Sequence, residues 1–219
     1  MRSWWLALTT LLASLRRRGP VKTARLAWDE WRFDRRHGLD TGGLAPAAAG
    51  GHPAAEPYMP TAPATFAEIL GQLDPPVRRG AFLDLGCGKG RVMALAAQAG
   101  LQPVIGVELD PALARAARRN LARLPGAAGA AARVIVQDAA RYPIPAEVSM
   151  FYLFNPFSGA VLDRVLENIR ASLEGAPRPH VLIYMNPVCH DRFLQAGFRL
   201  DRRGESAVGQ AYHLYGLGG

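Results

Sequence analysis

Apolar and polar positions change period along the chain in a regular way. Short apolar runs stand at 81–85, 103–108, 133–137, 147–154 and 179–185. Runs this short, bounded by glycine, proline or charge, read as buried strands. Between them the apolar residues recur at helical spacing, at 89–99, 111–124 and 158–174. Strand–helix alternation of this kind predicts a mainly parallel sheet with helices on both faces. A final pair of runs, near 197–202 and 209–216, is hairpin-like and joins through Arg203-Gly204-Glu205-Ser206. Ahead of this core, Phe66, Ile69, Leu70 and Leu73 mark one more helix, with Thr61 or Thr65 as its expected cap.

The N-terminal third follows a different pattern. Residues 3–15 are apolar and end at Arg16-Arg17-Arg18. The stretch is shorter than the about 20 residues that span a bilayer. The arginines follow the apolar run and no small-residue cleavage site precedes them, which argues against a signal peptide. Two readings fit residues 3–18: a helix packed on the domain or on another subunit, and an interfacial membrane helix with a basic flank. A second helix is expected from about Val21 to Arg36, with Trp28, Trp31 and Phe33 on its buried side. Residues 38–57 then turn to Gly, Ala and Pro, the composition of a flexible connection or a mobile lid. The expected division is an N-terminal helical extension with its connection, 1–57, and a domain over 58–219.

The chemistry concentrates after the first strand. Asp84-Leu85-Gly86-Cys87-Gly88-Lys89-Gly90 ends a strand at a carboxylate and turns through alternating glycines into a helix. Such a turn lets backbone approach a ligand closely, and the helix aims its free N–H groups at the same place. The spacing is G-x-G-x-G rather than the dinucleotide fingerprint G-x-G-x-x-G. Asp84 would repel a pyrophosphate and suits a cationic amino-acid moiety. A second strand ends at Glu108, where a βαβ unit places its acceptor for ribose hydroxyls. Asp84, Glu108, Asp138 and Asn155 all fall at strand ends, where ligands bind in open α/β sheets.

These segments resemble the motifs of class I S-adenosylmethionine-dependent methyltransferases, over roughly residues 58–216. The resemblance implies a Rossmann-like seven-stranded sheet with an antiparallel last strand. It also implies S-adenosylmethionine as cofactor. Asp84, Gly86, Cys87, Gly88 and Gly90 would then face the methionyl part, Glu108 the ribose and Asp138 the adenine. Tyr58-Met59-Pro60-Thr61 is similar to a segment of some protein lysine methyltransferases that lies over the cofactor, with Thr61 near the cofactor and Tyr58 toward the acceptor. Asn155-Pro156-Phe157 resembles the Asn-Pro-Pro-aromatic motif of nitrogen methyltransferases but lacks one proline. Asn155 and Phe157 are thereby candidate catalytic residues. Asn155-Pro156 can equally be strand punctuation, with Ser158 capping the next helix, as Asn186-Pro187 repeats the dipeptide.

Composition adjusts this picture only slightly. The 219 residues can bury a core without disulfides or metals. Cys87 and Cys189 are far apart with no CxxC spacing, which argues against a zinc or disulfide framework and fits a reducing, cytoplasmic setting, with the inner membrane face as the variant if residues 3–18 bind lipid. Cys87 reads as a small turn residue rather than a nucleophile. The net charge of +8 comes from scattered arginines, lysine occurring only at Lys22 and Lys89. No nucleic-acid-binding module is visible, so no specific nucleic acid is expected as partner. The expected activity is methyl transfer to a nitrogen of a protein lysine or a small molecule. The competing readings are a non-catalytic cofactor-binding protein, a nucleic-acid methyltransferase and an NAD-type oxidoreductase; the glycine spacing and Asp84 weigh against the last.

Overall fold

The computed structural model describes residues 2–43 and 60–218, with side chains of residues 2–11, 13, 127 and 128 left aside. Seven strands form one sheet: β1 (Ala81–Leu85), β2 (Val104–Glu108), β3 (Ala132–Val136), β4 (Val148–Phe154), β5 (Val181–Met185), β6 (Phe198–Glu205) and β7 (Ala211–Leu217). Their order is β3-β2-β1-β4-β5-β7-β6. β1 to β5 pair in parallel, and β7 runs antiparallel to both its neighbours. The central strands β1 and β5 are buried along their whole length. This is why they read as unbroken apolar runs, for helices cover both faces.

On one face lie α2 (Pro63–Gly71), α3 (Arg91–Gln98) and α4 (Pro111–Leu121). Phe66, Ile69, Met93, Ala114 and Leu121 pack there against Phe82, Met150 and Tyr152. On the other lie α6 (Gly159–Gly175) and α7 (His190–Gln195), where Leu162, Leu166 and Ile169 cover Leu83, Phe151 and Leu182. Phe193 stacks between Tyr184 and Tyr215, at 4.5 and 4.6 Å. α5 (Ala127–Ala130) is a single turn.

The expected elements are present with ends shifted by up to three residues, while α5 and α7 carried too little periodicity to be read. The cap of α2 differs from expectation. Ala62 is the N-cap residue, while Thr61 bonds to Tyr152 and Thr65 to Ser206. Ser158 is the N-cap residue of α6 but makes no side-chain cap bond.

α1 (Arg2–His37) contains both expected N-terminal helices, separated by a break at Gly19 (φ 76°, ψ 168°) before Pro20. Proline suits the first turn of the second segment, where its missing N–H has no partner to lose. The buried face of that segment is not the tryptophan face. Phe33 is 8% exposed, whereas Trp28 and Trp31 are 59% and 51% exposed. The two tryptophans pair with each other at 5.0 Å, and Arg35 lies over Trp31. The helix turns its acidic residues, Glu30 and Asp34, toward the domain instead.

Residues 38–43 are held rather than loose. Leu39 is buried, the Thr41 and Gly42 amides donate to Asp34 Oδ2, and the Asp40 amide donates to Asn120 Oδ1. The boundary expected at 57/58 lies outside the described residues.

Gly106, in the middle of β2, shows how closely α3 sits on the sheet. A Cβ there would overlap Met93 Sδ and approach Cys87 Sγ to 2.8 Å. Gly106→Ala is therefore expected to cost about 1–3 kcal/mol, read as a lower denaturation midpoint in urea.

Candidate functional site

The sheet order reverses between β1 and β4. The chain moves outward from β1 to β3, then returns to β4 beside β1. The crevice beyond the carboxyl ends of strands at such a switch point is where open α/β sheets bind ligands. The glycine turn and Asn155-Pro156 meet at this crevice. A Cβ on Gly86 would overlap Pro156 Cβ, so only glycine allows the two loops to touch. Gly86, Gly88 and Gly90 all have positive φ, at 84°, 54° and 81°. The alternation seen in the sequence is thus an alternation of left-handed backbone, which other residues adopt only at a cost.

Two carboxylates lie beneath the turn. Glu108 accepts from the Gly88 amide at 2.8 Å and from the Asp110 amide at 2.9 Å. It thereby fixes the turn to the end of β2. Asp84 is only 4% exposed, and its carboxylate makes no hydrogen bond among the described residues. Burial, then the nearby Glu108 charge, pushes the Asp84 carboxyl well above its ordinary range. Burial also raises Glu108, against the lowering effect of its backbone hydrogen bonds. A buried, unpartnered carboxylate next to a second one is costly alone. A cation placed beside them relieves both.

Cys87 is buried, and burial followed by the Asp84 and Glu108 charges raises its thiol far above the ordinary value. Burial thus disfavours the thiolate, the form that acts as nucleophile or metal ligand. No group of residues suited to a metal ion occurs among those described.

The remaining sequence candidates fall as follows. Asp138 caps the short turn Ala139–Arg141, accepting from the Ala140 amide at 2.9 Å. It stands just beyond β3, in the row of strand ends with Asp84 and Glu108. Asn155 ends β4 in left-handed backbone (φ 41°), and Asn186 does the same after β5 (φ 49°). Asn155 Oδ1 accepts from the Tyr184 hydroxyl at 2.8 Å, which leaves its amide N–H groups without a partner among the described residues. Phe157 packs in the α6-side core with Leu162 and Phe193. Thr61 is fully buried against the Tyr152 hydroxyl. Tyr58 lies outside the described residues.

Sequence reasoning missed the group that fastens the N-terminal extension to this site. Arg91, the first residue of α3, is 1% exposed. Its Nε donates to Thr41 Oγ1 at 2.7 Å and one terminal nitrogen to Asp34 Oδ2 at 3.1 Å. The other terminal nitrogen is buried without a hydrogen bond, 3.8 Å from Glu30 Oε2. Lys89, inside the turn, donates to the Gly42 carbonyl, and Asn120 donates to both the Lys89 and Asp40 carbonyls. One signal was available. A cation at a helix N-terminus opposes the macrodipole, so Arg91 needs anionic partners from elsewhere.

Glu30 is the less satisfied of those partners. Despite its proximity to Arg91, its carboxyl is raised to about 7, because burial outweighs the guanidinium attraction and Asp34 and Asp29 add repulsion. At 3.8 Å without a hydrogen bond, the attraction to Arg91 does not offset the lost hydration.

A profile described as a methyltransferase domain matches residues 82–175. No curated protein sequence matches the chain. Among solved structures, the chain is similar to the glycopeptide N-methyltransferase MtfA complexed with S-adenosylmethionine (TM-score 0.60, 12% identity, 73% of this chain and 99% of that one). It is also similar to a TehB-like S-adenosylmethionine-dependent methyltransferase from Corynebacterium glutamicum (0.52, 18%, 87% and 98%). A third is an RNA methyltransferase from Salinibacter ruber complexed with S-adenosylhomocysteine (0.50, 21%, 73% and 94%). At these identities the likeness is one of fold.

The Glu30 environment gives a pH prediction. Its folded-state value lies above the ordinary 4.5, so the folded protein binds the proton more tightly. Stability should therefore fall as pH rises from about 4.5 to about 7, by up to about 3 kcal/mol from this group. Glu30→Gln is expected to remove that decline, as measured by urea denaturation of both proteins across the window.

Proposed function

We propose, from the premise that this chain is an S-adenosylmethionine-dependent methyltransferase of the class I fold, that its acceptor atom is a nitrogen. The residues present fit that methyl donor. Asp84 is a buried carboxylate without a hydrogen-bond partner, suited to the donor's cationic amino-acid part. The three positive-φ glycines form a cradle that a side chain would fill. Glu108, fixed by two amides, keeps acceptor capacity for ribose hydroxyls. Asp138 is assigned to the adenine and Thr61 to the cofactor's far side. When bound, the donor supplies an electrophilic methyl group on a sulfonium.

The observation that carries the nitrogen reading is the contact of Pro156 with Gly86. It puts the Asn155 loop against the turn that holds the donor. Methyl transfer is an in-line displacement, in which alignment supplies much of the catalysis. Asn155, fixed through Tyr184, is assigned the positioning of the acceptor, with Tyr58 and Phe157 assigned to shaping its approach. MtfA, a glycopeptide N-methyltransferase, offers a precedent for nitrogen chemistry on this fold. A protein lysine or a small-molecule amine would both serve as acceptor.

The test is incubation with S-adenosylmethionine labelled in the methyl group and a cell extract, followed by separation of protein, RNA and small molecules. Label on nitrogen in protein or small molecules is expected; label in RNA would overturn the reading. Asp84→Ala should abolish calorimetric binding of S-adenosylmethionine, since it removes the donor's countercharge. Asn155→Ala should leave that binding intact and slow transfer about a hundredfold or more. Unaltered turnover would return Asn155 to a purely structural role.

The N-terminal helix lies on the domain through Arg18 and Lys22. None of the described helices is long and apolar enough to cross a membrane. A further contact of residues 3–18 with a subunit or a membrane surface, in a cytoplasmic protein, is part of this proposal. Flotation with anionic liposomes, with and without those residues, distinguishes the two.

A further inference from the structure

A cavity of about 200 Å³ opens beside the Asn155 loop, at the carboxyl ends of β4 and β5. Its walls include Phe154, Asn186, Gln210 and Ala211 from the sheet side, and Arg17 and Arg18 from α1. The helix is fastened in this position. Arg18 Nε donates to the Gly209 carbonyl at 2.6 Å, and Lys22 pairs with Glu205 at 2.7 Å. Gly209 has φ +77°, and a Cβ on it would come within 2.9 Å of Arg18 Cγ. The close seat of the arginine thus depends on a glycine at the β6–β7 turn. The break at Gly19 comes directly after these arginines, so the helix changes course just beyond the cavity.

The charges on this wall are not balanced. Burial, then the Arg17 charge, lowers Arg18, while the Glu30 and Glu205 carboxylates act the other way. Glu205, the carboxylate on the wall, is already engaged by Lys22. Arg17 makes no ion pair among the described residues. Arg17 and Arg18 line one small cavity with Glu205, a carboxylate that Lys22 and Arg18 share, and this excess of positive charge makes the cavity a site for an anion.

We propose that this cavity is the acceptor site and that Arg17, with Arg18, receives a carboxylate or phosphate group on a small nitrogen-bearing acceptor. The proposal rests on the methyl-transfer reading above and narrows it. The volume lies below the roughly 300–1,000 Å³ of drug-sized ligand sites, which suits a molecule of amino-acid size. Phe154, one residue before Asn155, gives the cavity an apolar wall. An acid anchored at the arginines would extend its nitrogen along that wall. The same charges disfavour a lysine side chain, whose ammonium would meet two guanidiniums on approach.

The experiment uses the full chain loaded with S-adenosylhomocysteine and inorganic phosphate as the anion probe. Phosphorus NMR should show phosphate broadened by the wild type, unaffected by Arg17→Glu, and broadened again by Arg17→Lys. Arg17 is exposed, so these variants leave the core intact. In the labelling assay the product should be a small molecule retained on an anion-exchange resin. Arg17→Glu should reduce its formation at least about tenfold, with calorimetric S-adenosylhomocysteine affinity unchanged. Equal phosphate broadening by the wild type and Arg17→Glu, or label on protein lysine, would overturn the proposal. Loss of phosphate broadening in Arg17→Glu from a wild type that binds no S-adenosylhomocysteine would support the anion site while sinking the methyltransferase reading.

Discussion

The buried guanidinium of Arg91 is the constraint on which the rest of the site depends. It starts the helix that follows the glycine turn, where the macrodipole already disfavours a cation, and it is withdrawn from water. Such a charge survives only with partners, and the core domain's adjoining strands offer none to it. The partners come from the N-terminal extension, as Asp34, Thr41 and Glu30. The extension is thereby part of the architecture of the candidate site. Removing one partner of a buried pair costs more than the pair contributes, because it strands the other charge.

A second electrostatic imbalance sits at the same turn. Asp84 and Glu108 are carboxylates in a buried place; burial raises the proton affinity of both, and the Glu108 charge adds to that of Asp84. A cation bound beside them would offset this cost. Burial and the Glu108 charge act on Asp84 with no part played by Arg91, whose partners are Thr41, Asp34 and Glu30 instead.

The parts legible in the sequence share a physical reason. Central strands such as Ala81–Leu85 and Val181–Met185 are buried on both faces, so their composition alone betrays them. The glycine alternation was visible because left-handed backbone at 86, 88 and 90 excludes other residues. What failed was the facing of amphipathic segments. Trp28 and Trp31 looked like core because they are large and apolar, yet the helix buries Phe33, Glu30 and Asp34 instead. Pairing a buried arginine decided that rotation, and no local pattern records a partner sixty residues away. Thr61 and Thr65 looked like caps for the same reason, since their true partners, Tyr152 and Ser206, are remote in sequence.

By itself, then, the sequence determined the order of strands and helices and the position of the glycine turn, because each depends on a short stretch of backbone and its immediate side chains. The tertiary structure decided how the loops meet. It alone brought Pro156 onto Gly86, clasped Arg91 with α1, and closed a cavity between Arg17 and the ends of β4 and β5. Those are contacts between segments far apart along the chain. They are set by which faces must be buried together once the sheet has formed, and by which buried charges must find one another.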